Sequence, residues 1–160
     1  YHGSTEIIKN PDVVHSKKYL DFGRGFYITT FENQAKKWAV RKGMRQEKTA
    51  IVNVYELSEE WDNFKVLSFE KENEKWLDFV CACRKGQSLN KEYDIIIGNV
   101  ADDDVFKTVD MYFRGLWDRE KVLGELRYYK MNNQICIVNQ ETLNRLITFK
   151  RAYEVENNGR

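Results

Sequence analysis

The chain has 160 residues, of which 42% are hydrophobic and 14% aromatic, so it can form a hydrophobic core and does not belong to the disordered class. Its net charge of +1 excludes an overall electrostatic attraction to nucleic acid or lipid, although a local basic patch stays open. The sequence has no apolar run of membrane-spanning length and no signal peptide, so we expect one cytoplasmic domain over residues 1–160 with no membrane partner. Because an initiator Met is missing, we expect a trimmed chain or a domain of a longer protein.

Hydrophobic periodicity predicts the secondary structure in chain order. The predicted elements are short strands at Tyr1 and Tyr27, a helix over 31–46, strands over 50–57 and 65–69, a helix over 73–84, a strand over 93–98, helices from Asp102–Asp104 onward and over 120–129, a strand over 134–138, a helix over 140–146, a strand over 147–155 and a frayed tail over 156–160. Because strands and helices do not alternate strictly, the pattern favours an α+β fold over a parallel βαβ sheet.

The cysteines and histidines give no metal site. Cys81, Cys83 and Cys136 form neither a disulfide framework nor the usual C-x₂-C metal pair, so we expect reduced thiols. The acidic run Asp102–Asp104 is typical of a helix start, where carboxylates interact favourably with the helix dipole.

Two glycines, Gly23 and Gly25, stand directly before the aromatic and β-branched run that contains Tyr27. Glycine at such a place lets the backbone approach a ligand closely or adopt a positive φ. His2 and Gly3 offer a second point of close approach. A flat aromatic ring, an imidazole and bare backbone can together bind a flat, polar heterocycle.

The runs His2-Gly3-Ser4 and Gly23-Arg24-Gly25-Phe26-Tyr27 resemble the ADP-ribosyltransferase superfamily, in the branch of diphtheria toxin and the poly(ADP-ribose) polymerases. That branch has His-Gly-Ser or His-Gly-Thr on one strand and Gly-x-Gly-apolar-Tyr on a second. A third position, most often glutamate, lies on a strand near the C-terminus and matches Gln134 here. The runs are also similar to those of a bacterial family of unknown function. The resemblance covers nearly the whole chain and implies an ADP-ribosyltransferase-like split β-sandwich of two packed sheets with flanking helices.

The resemblance also implies NAD as co-substrate and a role for each matching residue. His2 would hydrogen-bond ribose hydroxyls, and Gly3, followed by Ser4, would offer its backbone N–H and C=O to the carboxamide. Tyr27 would stack on the nicotinamide ring. A terminal, solvent-exposed histidine and a core strand tyrosine are the structural alternatives for His2 and Tyr27.

Two further positions complete the implied NAD site. Arg24, directly before Gly25, would reach the pyrophosphate or an acidic target; its alternative is a solvated loop arginine. Trp38, eleven residues after Tyr27, would form a second aromatic wall, or else be a core helix tryptophan.

Gln134 is the departure from the family pattern that matters most. An amide keeps the hydrogen bond to a ribose hydroxyl and loses the charge that stabilises a ribose cation. That charge is worth roughly 4 kcal/mol at about 4 Å in a partly shielded site, or around three decades of rate. Fast NAD hydrolysis and chain elongation are therefore disfavoured. Transfer of a single ADP-ribose stays open, with a carboxylate from elsewhere, such as Asp102–Asp104, or from the target.

The resemblance implies a transferase of the glycosyltransferase class: a bacterial, NAD-dependent mono-ADP-ribosyltransferase from a toxin, toxin–antitoxin or defence system. Gln134, His2 and Tyr27 would be its catalytic residues. Its partners would be NAD, a macromolecular acceptor (protein or nucleic acid) and, in a toxin–antitoxin pair, an antitoxin protein. The alternative is a catalytically weak or inactive NAD or ADP-ribose binding module on the same fold. A third hypothesis, a nucleic-acid-binding domain, rests on the basic stretch from Lys36 to Lys48.

Overall fold

The computed structural model of the protein describes residues 1–101, 103–126 and 132–156. Two sheets and, within these residues, five α-helices confirm the predicted α+β class. The elements are β1 His2–Ser4, β2 Phe26–Ile28, α1 Glu32–Gln46, β3 Ala50–Leu57, β4 Val66–Ser68, α2 Glu74–Arg84, β5 Ile95–Gly98, α3 Asp103–Phe113, α4 Arg119–Leu126, β6 Gln134–Ile137, α5 Gln140–Leu146 and β7 Ile147–Val155. Asp102, the predicted end of the fourth helix at 127–129 and the tail residues 157–160 lie outside the described residues.

The strands form one antiparallel sheet and one mixed sheet. The first sheet has the order β1-β3-β7, and the second has the order β2-β6-β5-β4. Within the second sheet β4 and β5 are parallel, while β5–β6 and β2–β6 are antiparallel. Because β4 and β5 are parallel, the chain needs a crossover between them, and α2 is part of this crossover. The buried face of α2, with Trp76, Leu77 and Val80, packs into the core.

Three apolar clusters stabilise these layers. Ala35 and Ala39 of α1 pack on the first sheet through Ala50 and Val52. Between the sheets, the rings of Phe26 and Tyr55 meet edge to face at 5.6 Å, and the residues around them are Ile28, Ile135, Ile137, Leu57, Leu143 and Leu146. The opposite face of the second sheet packs on α2, α3 and α4. Each large side chain buried in this way contributes about 1.5–3 kcal/mol.

No helix in the described part of the chain is both long enough and apolar enough to cross a bilayer.

Candidate functional site

The two sheets meet where β1 begins and β2 ends. The Tyr1 nitrogen donates to the Thr29 carbonyl at 2.8 Å, and the Thr29 N–H donates to the Tyr1 carbonyl at 2.9 Å. Such a reciprocal exchange is the hydrogen-bonded pair of an antiparallel ladder. Beyond it, β1 pairs with β3 and β2 pairs with β6, so the two strands enter different sheets. We call the space between β1 and β2 beside this pair the seam.

His2 links the two strands across the seam. Its Nδ1 lies 2.7 Å from the Tyr27 carbonyl oxygen, and its ring stacks on Phe26 at 4.7 Å. A carbonyl only accepts, so Nδ1 carries the proton and Nε2 keeps a free lone pair. Burial lowers the pKa of His2 to about 4. His2 is therefore a neutral, partly buried imidazole with one acceptor nitrogen, and not a solvated terminal histidine.

The backbone of Gly3 faces the seam. Backbone groups two residues apart in a strand point the same way, so the N–H and C=O of Gly3 follow those of Tyr1 toward β2 and away from β3. A Cβ on Gly3 would lie 2.3 Å from the Ala35 carbonyl oxygen and 2.7 Å from the Ala39 nitrogen. Glycine at this position thus lets α1 cover β1 while the strand edge keeps a donor and an acceptor side by side.

Ser4 is buried, and its Oγ lies 3.4 Å from Nζ of Lys42, which donates to it. Lys42 is half-buried, and this burial lowers its pKa. The sequence placed Lys42 in the basic stretch without distinguishing it from its neighbours. In the structure Lys36 pairs with Glu32 at 3.0 Å and Lys48 with Glu6 at 3.4 Å, whereas Lys42 turns to β1.

The Tyr27 hydroxyl anchors the loop that leads into β2. It donates to the Gly23 carbonyl at 2.5 Å and accepts from the Phe22 N–H at 3.1 Å. Burial raises the pKa of Tyr27 well above its ordinary value, so the hydroxyl stays protonated at neutral pH. The structure therefore assigns the hydroxyl an anchoring contact, and the half-buried ring of Tyr27 packs against the hydrophobic cluster on this face of the second sheet.

The glycines before Tyr27 have structural reasons of their own. Gly23 has a φ of +72°, in the left-handed region that favours glycine. A Cβ on Gly25 would lie 2.5 Å from Sγ of Cys136, so Gly25 makes a close approach to β6. Arg24 between them is exposed, and its carbonyl accepts from Nδ2 of Asn90 at 2.9 Å.

Trp38 stands on α1 beside β1. Its Cβ lies 3.0 Å from the place of a Cβ on Gly3, and the residue is 51% exposed. It is therefore not a core tryptophan. Its ring is available to a molecule that binds next to Gly3.

Gln134 lies on the same face of its sheet as Tyr27. Tyr27 pairs with Cys136 in the register of β2 and β6, and residues two apart in a strand share a face. Gln134 is 6% exposed, and its Nε2 donates to Oδ2 of Asp21 at 3.1 Å and to the Asn99 carbonyl at 3.2 Å. Its Oε1 has no hydrogen-bond partner among the described residues.

Asp21 is the functional candidate that the sequence reasoning missed. It is 9% exposed, and Nε and Nη2 of Arg84 donate to its Oδ1 at 3.0 and 2.5 Å. The Ala101 N–H and Nε2 of Gln134 donate to its Oδ2. A buried carboxylate thus stands beside Gln134. The only sequence signal was its place at the start of the Asp21–Thr30 run.

The cysteines are free and buried. Burial raises the pKa of the Cys136 thiol to about 12, so it stays protonated and is not a nucleophile at neutral pH. Within residues 1–101, 103–126 and 132–156, no three His, Cys, Asp or Glu side chains converge as a metal site.

The structure is an α+β protein with two packed sheets, a His2–Tyr27 contact where the sheets meet and a buried Asp21–Gln134 pair at the second sheet. The chain belongs to the family described as "Protein of unknown function (DUF3990)", whose model matches residues 1–149. No curated protein and no solved structure matches the chain significantly.

Proposed function

We propose that the seam binds the nicotinamide end of NAD and that the protein transfers a single ADP-ribose to a macromolecular acceptor, protein or nucleic acid. The fold is then an ADP-ribosyltransferase-like split sandwich. The observation that carries the proposal is that His2, Gly3 and Tyr27 adjoin at the seam and that Gln134 lies on the Tyr27 face of the second sheet, although up to 132 residues separate them along the chain.

Each contact at the seam suits one part of the nicotinamide riboside. The N–H and C=O of Gly3 point the same way, as a primary carboxamide requires of a paired donor and acceptor. Nε2 of neutral His2 accepts a hydrogen bond from a ribose hydroxyl. The rings of Tyr27 and Trp38 wall the nicotinamide, with about 0.5–1.5 kcal/mol from each stacked pair beyond area burial.

The reaction breaks the bond between ribose C1′ and the nicotinamide nitrogen. The bonding electrons leave with nicotinamide, which departs as a neutral molecule, and C1′ develops cationic character. A nucleophilic atom of the acceptor then bonds to C1′ and loses its proton to water. Gln134 Oε1 accepts the hydrogen bond of a ribose hydroxyl, and Lys42 beside Ser4 supplies a cation for an anionic part of the ligand.

The proposal is tested with NAD labelled separately in nicotinamide and in adenylate, incubated with the protein and with bacterial lysate fractions. We expect release of labelled nicotinamide and transfer of the adenylate label to one macromolecular fraction. Gln134→Ala should abolish both. The control is Tyr55→Phe in the first sheet, which removes a hydroxyl bonded to the Ile8 carbonyl and should abolish neither. If NAD releases no nicotinamide and does not protect the fold thermally, the proposal is wrong.

A binding module for NAD or ADP-ribose is the second candidate, and one observation favours it. The negative charge next to Gln134 belongs to Asp21, and Asp21 is already paired with Arg84. The Asp21 carboxylate is therefore not an unpaired charge that could face the ligand. Thermal protection by NAD without any release of nicotinamide would select this function. A toxin or defence role in the bacterial cytoplasm, with an antitoxin as partner, is part of the first proposal only.

A further inference from the structure

We propose that Asp21 and Gln134 together form the acceptor that a single glutamate provides in the family pattern. Asp21 is a positioning residue that holds the amide of Gln134 and polarises it, and Gln134 Oε1 is the atom that meets the ribose. The inference rests on the proposed function for the identity of the ligand, whereas the coupling between the two residues stands on the contacts alone.

The first step is the orientation of the Gln134 amide. Nε2 has two acceptors, Oδ2 of Asp21 at 3.1 Å and the Asn99 carbonyl at 3.2 Å. Two acceptors can face only the NH₂ end of an amide, because an oxygen there would meet two other oxygens. The orientation is therefore fixed, and Oε1 is left as the atom that can accept a hydrogen bond from a ligand.

The second step is the rigidity of Asp21. Arg84, at the end of α2, donates twice to Oδ1, and the backbone N–H of Ala101 donates to Oδ2. The side chains of Asp21 and Arg84 are only 11% and 13% exposed, so water does not compete freely for these contacts. Asp21 is thus fixed from two directions before it accepts from Gln134.

The third step is polarisation. A carboxylate that accepts an amide N–H withdraws positive charge from that end of the amide, so Oε1 carries more negative charge. Hydrogen bonds in such a chain strengthen each other by about 10–30% per bond. The Asp21–Gln134 pair thereby supplies part of the negative potential that a glutamate at position 134 would provide and an amide alone lacks.

The fourth step explains why glutamine stands at this position. A glutamate would put an oxygen where Nε2 now lies, 3.1 Å from Oδ2 of Asp21 and 3.2 Å from the Asn99 oxygen. Two carboxylates at such a distance disfavour each other's ionised forms. With Asp21 in place, the chain therefore accommodates an amide and excludes the usual carboxylate.

The test is a cycle of Asp21→Asn, Gln134→Glu and the double variant, measured by urea unfolding at neutral pH. Gln134→Glu should lower the urea midpoint strongly in the wild-type background and much less in the Asp21→Asn background, because the like charge is gone. Equal losses in the two backgrounds would overturn the coupling. This measurement needs no NAD, so it decides the pair even if the proposed function fails.

Catalysis is measured on the same variants as nicotinamide release per folded molecule, together with the Kd for NAD. Asp21→Asn should lower kcat by about tenfold or more, since loss of one preorganised electrostatic group costs about 10²–10³-fold and Arg84 already offsets part of this charge. The Kd for NAD should change by less than about threefold, since the lost interaction acts on the transition state. In the Asp21→Asn background, Gln134→Glu should raise kcat again, because it returns a carboxylate to the ribose.

The matched control is Asp94→Asn, because Asp94 also accepts from an amide side chain, Asn139 Nδ2 at 2.6 Å, and from a backbone N–H, that of Lys65 at 2.8 Å. Asp94 lies at the end of β5 that is away from Gln134. The Asp94→Asn variant should therefore be less stable than the wild type but keep the wild-type kcat. An unchanged kcat in folded Asp21→Asn, or no gain in the double variant, would reduce Asp21 to a structural residue. A wild-type protein that releases no nicotinamide would instead refute the proposed function.

Discussion

Nδ1 of His2 lies 2.7 Å from the carbonyl oxygen of Tyr27, and this contact joins the two sheets across the seam. The carbonyl fixes the proton on Nδ1 and leaves Nε2 as an acceptor. A histidine held in this way is neutral and offers Nε2 as a hydrogen-bond acceptor. The first prediction follows from this protonation state.

His2 should make stability depend on pH in a defined window. Its folded-state pKa is about 4, lowered mainly by burial, and its ordinary value is 6.5. Between these values the unfolded chain binds a proton that the folded chain does not, so the free energy of unfolding should rise with pH from about 4 to 6.5. His2→Asn should lose this contribution. Urea unfolding across the window measures it, and a His2 ring that titrates near 6.5 by NMR would contradict it.

Gly3→Ala should destabilise the fold because its Cβ would meet backbone atoms of α1 at 2.3 and 2.7 Å. Overpacking of this kind costs about 1–3 kcal/mol and sometimes more. The control is Gly124→Ala on α4, where the new Cβ would point into open space. It should stabilise by about 0.5–1 kcal/mol through helix propensity. Thermal unfolding of both variants decides the point, and equal effects would contradict close packing at Gly3.

Tyr27→Phe should separate the anchoring role of the hydroxyl from the ring. Loss of the hydroxyl leaves the Gly23 carbonyl and the Phe22 N–H without this partner, which costs about 1–3 kcal/mol if they stay buried. The ring remains, so the Kd for nicotinamide should change by less than about threefold. Tyr55→Phe is the matched loss of a hydroxyl in the other sheet. If Tyr27→Phe abolishes binding while the fold persists, the hydroxyl and not the ring would be the binding group.

Trp38 should report ligand binding by its fluorescence. It is 51% exposed beside Gly3, whereas Trp76 is fully buried, so a ring stacked on Trp38 changes the environment of an exposed indole. Saturating nicotinamide should therefore quench part of the wild-type emission. Trp38→Phe should remove that change without a loss of stability above about 0.5 kcal/mol, the usual range for surface substitutions. Equal quenching in both proteins would place the ligand elsewhere.

The elements of this fold could be predicted because their signals are local. The apolar stripe of α1 and the β-branched run of β3 show the periods of a helix and a strand, and the structure has them at Glu32–Gln46 and Ala50–Leu57. The parallel pairing of β4 and β5 was not predicted, since it depends on where α2 packs rather than on the strands themselves. The ADP-ribosyltransferase assignment stays a prediction.

The sequence by itself determined the α+β class, because hydrophobic periods are local. His2, Gly3, Tyr27, Trp38 and Gln134 became candidates because their runs resemble those of the ADP-ribosyltransferase superfamily. Only the tertiary structure decided that Trp38 is exposed and that Asp21 bonds to Gln134, 113 residues away. That contact depends on the register of β2, β6 and β5 and on the loop that carries Asp21. Long-range register is set by the packing of whole faces, and no local pattern encodes which buried carboxylate meets which amide.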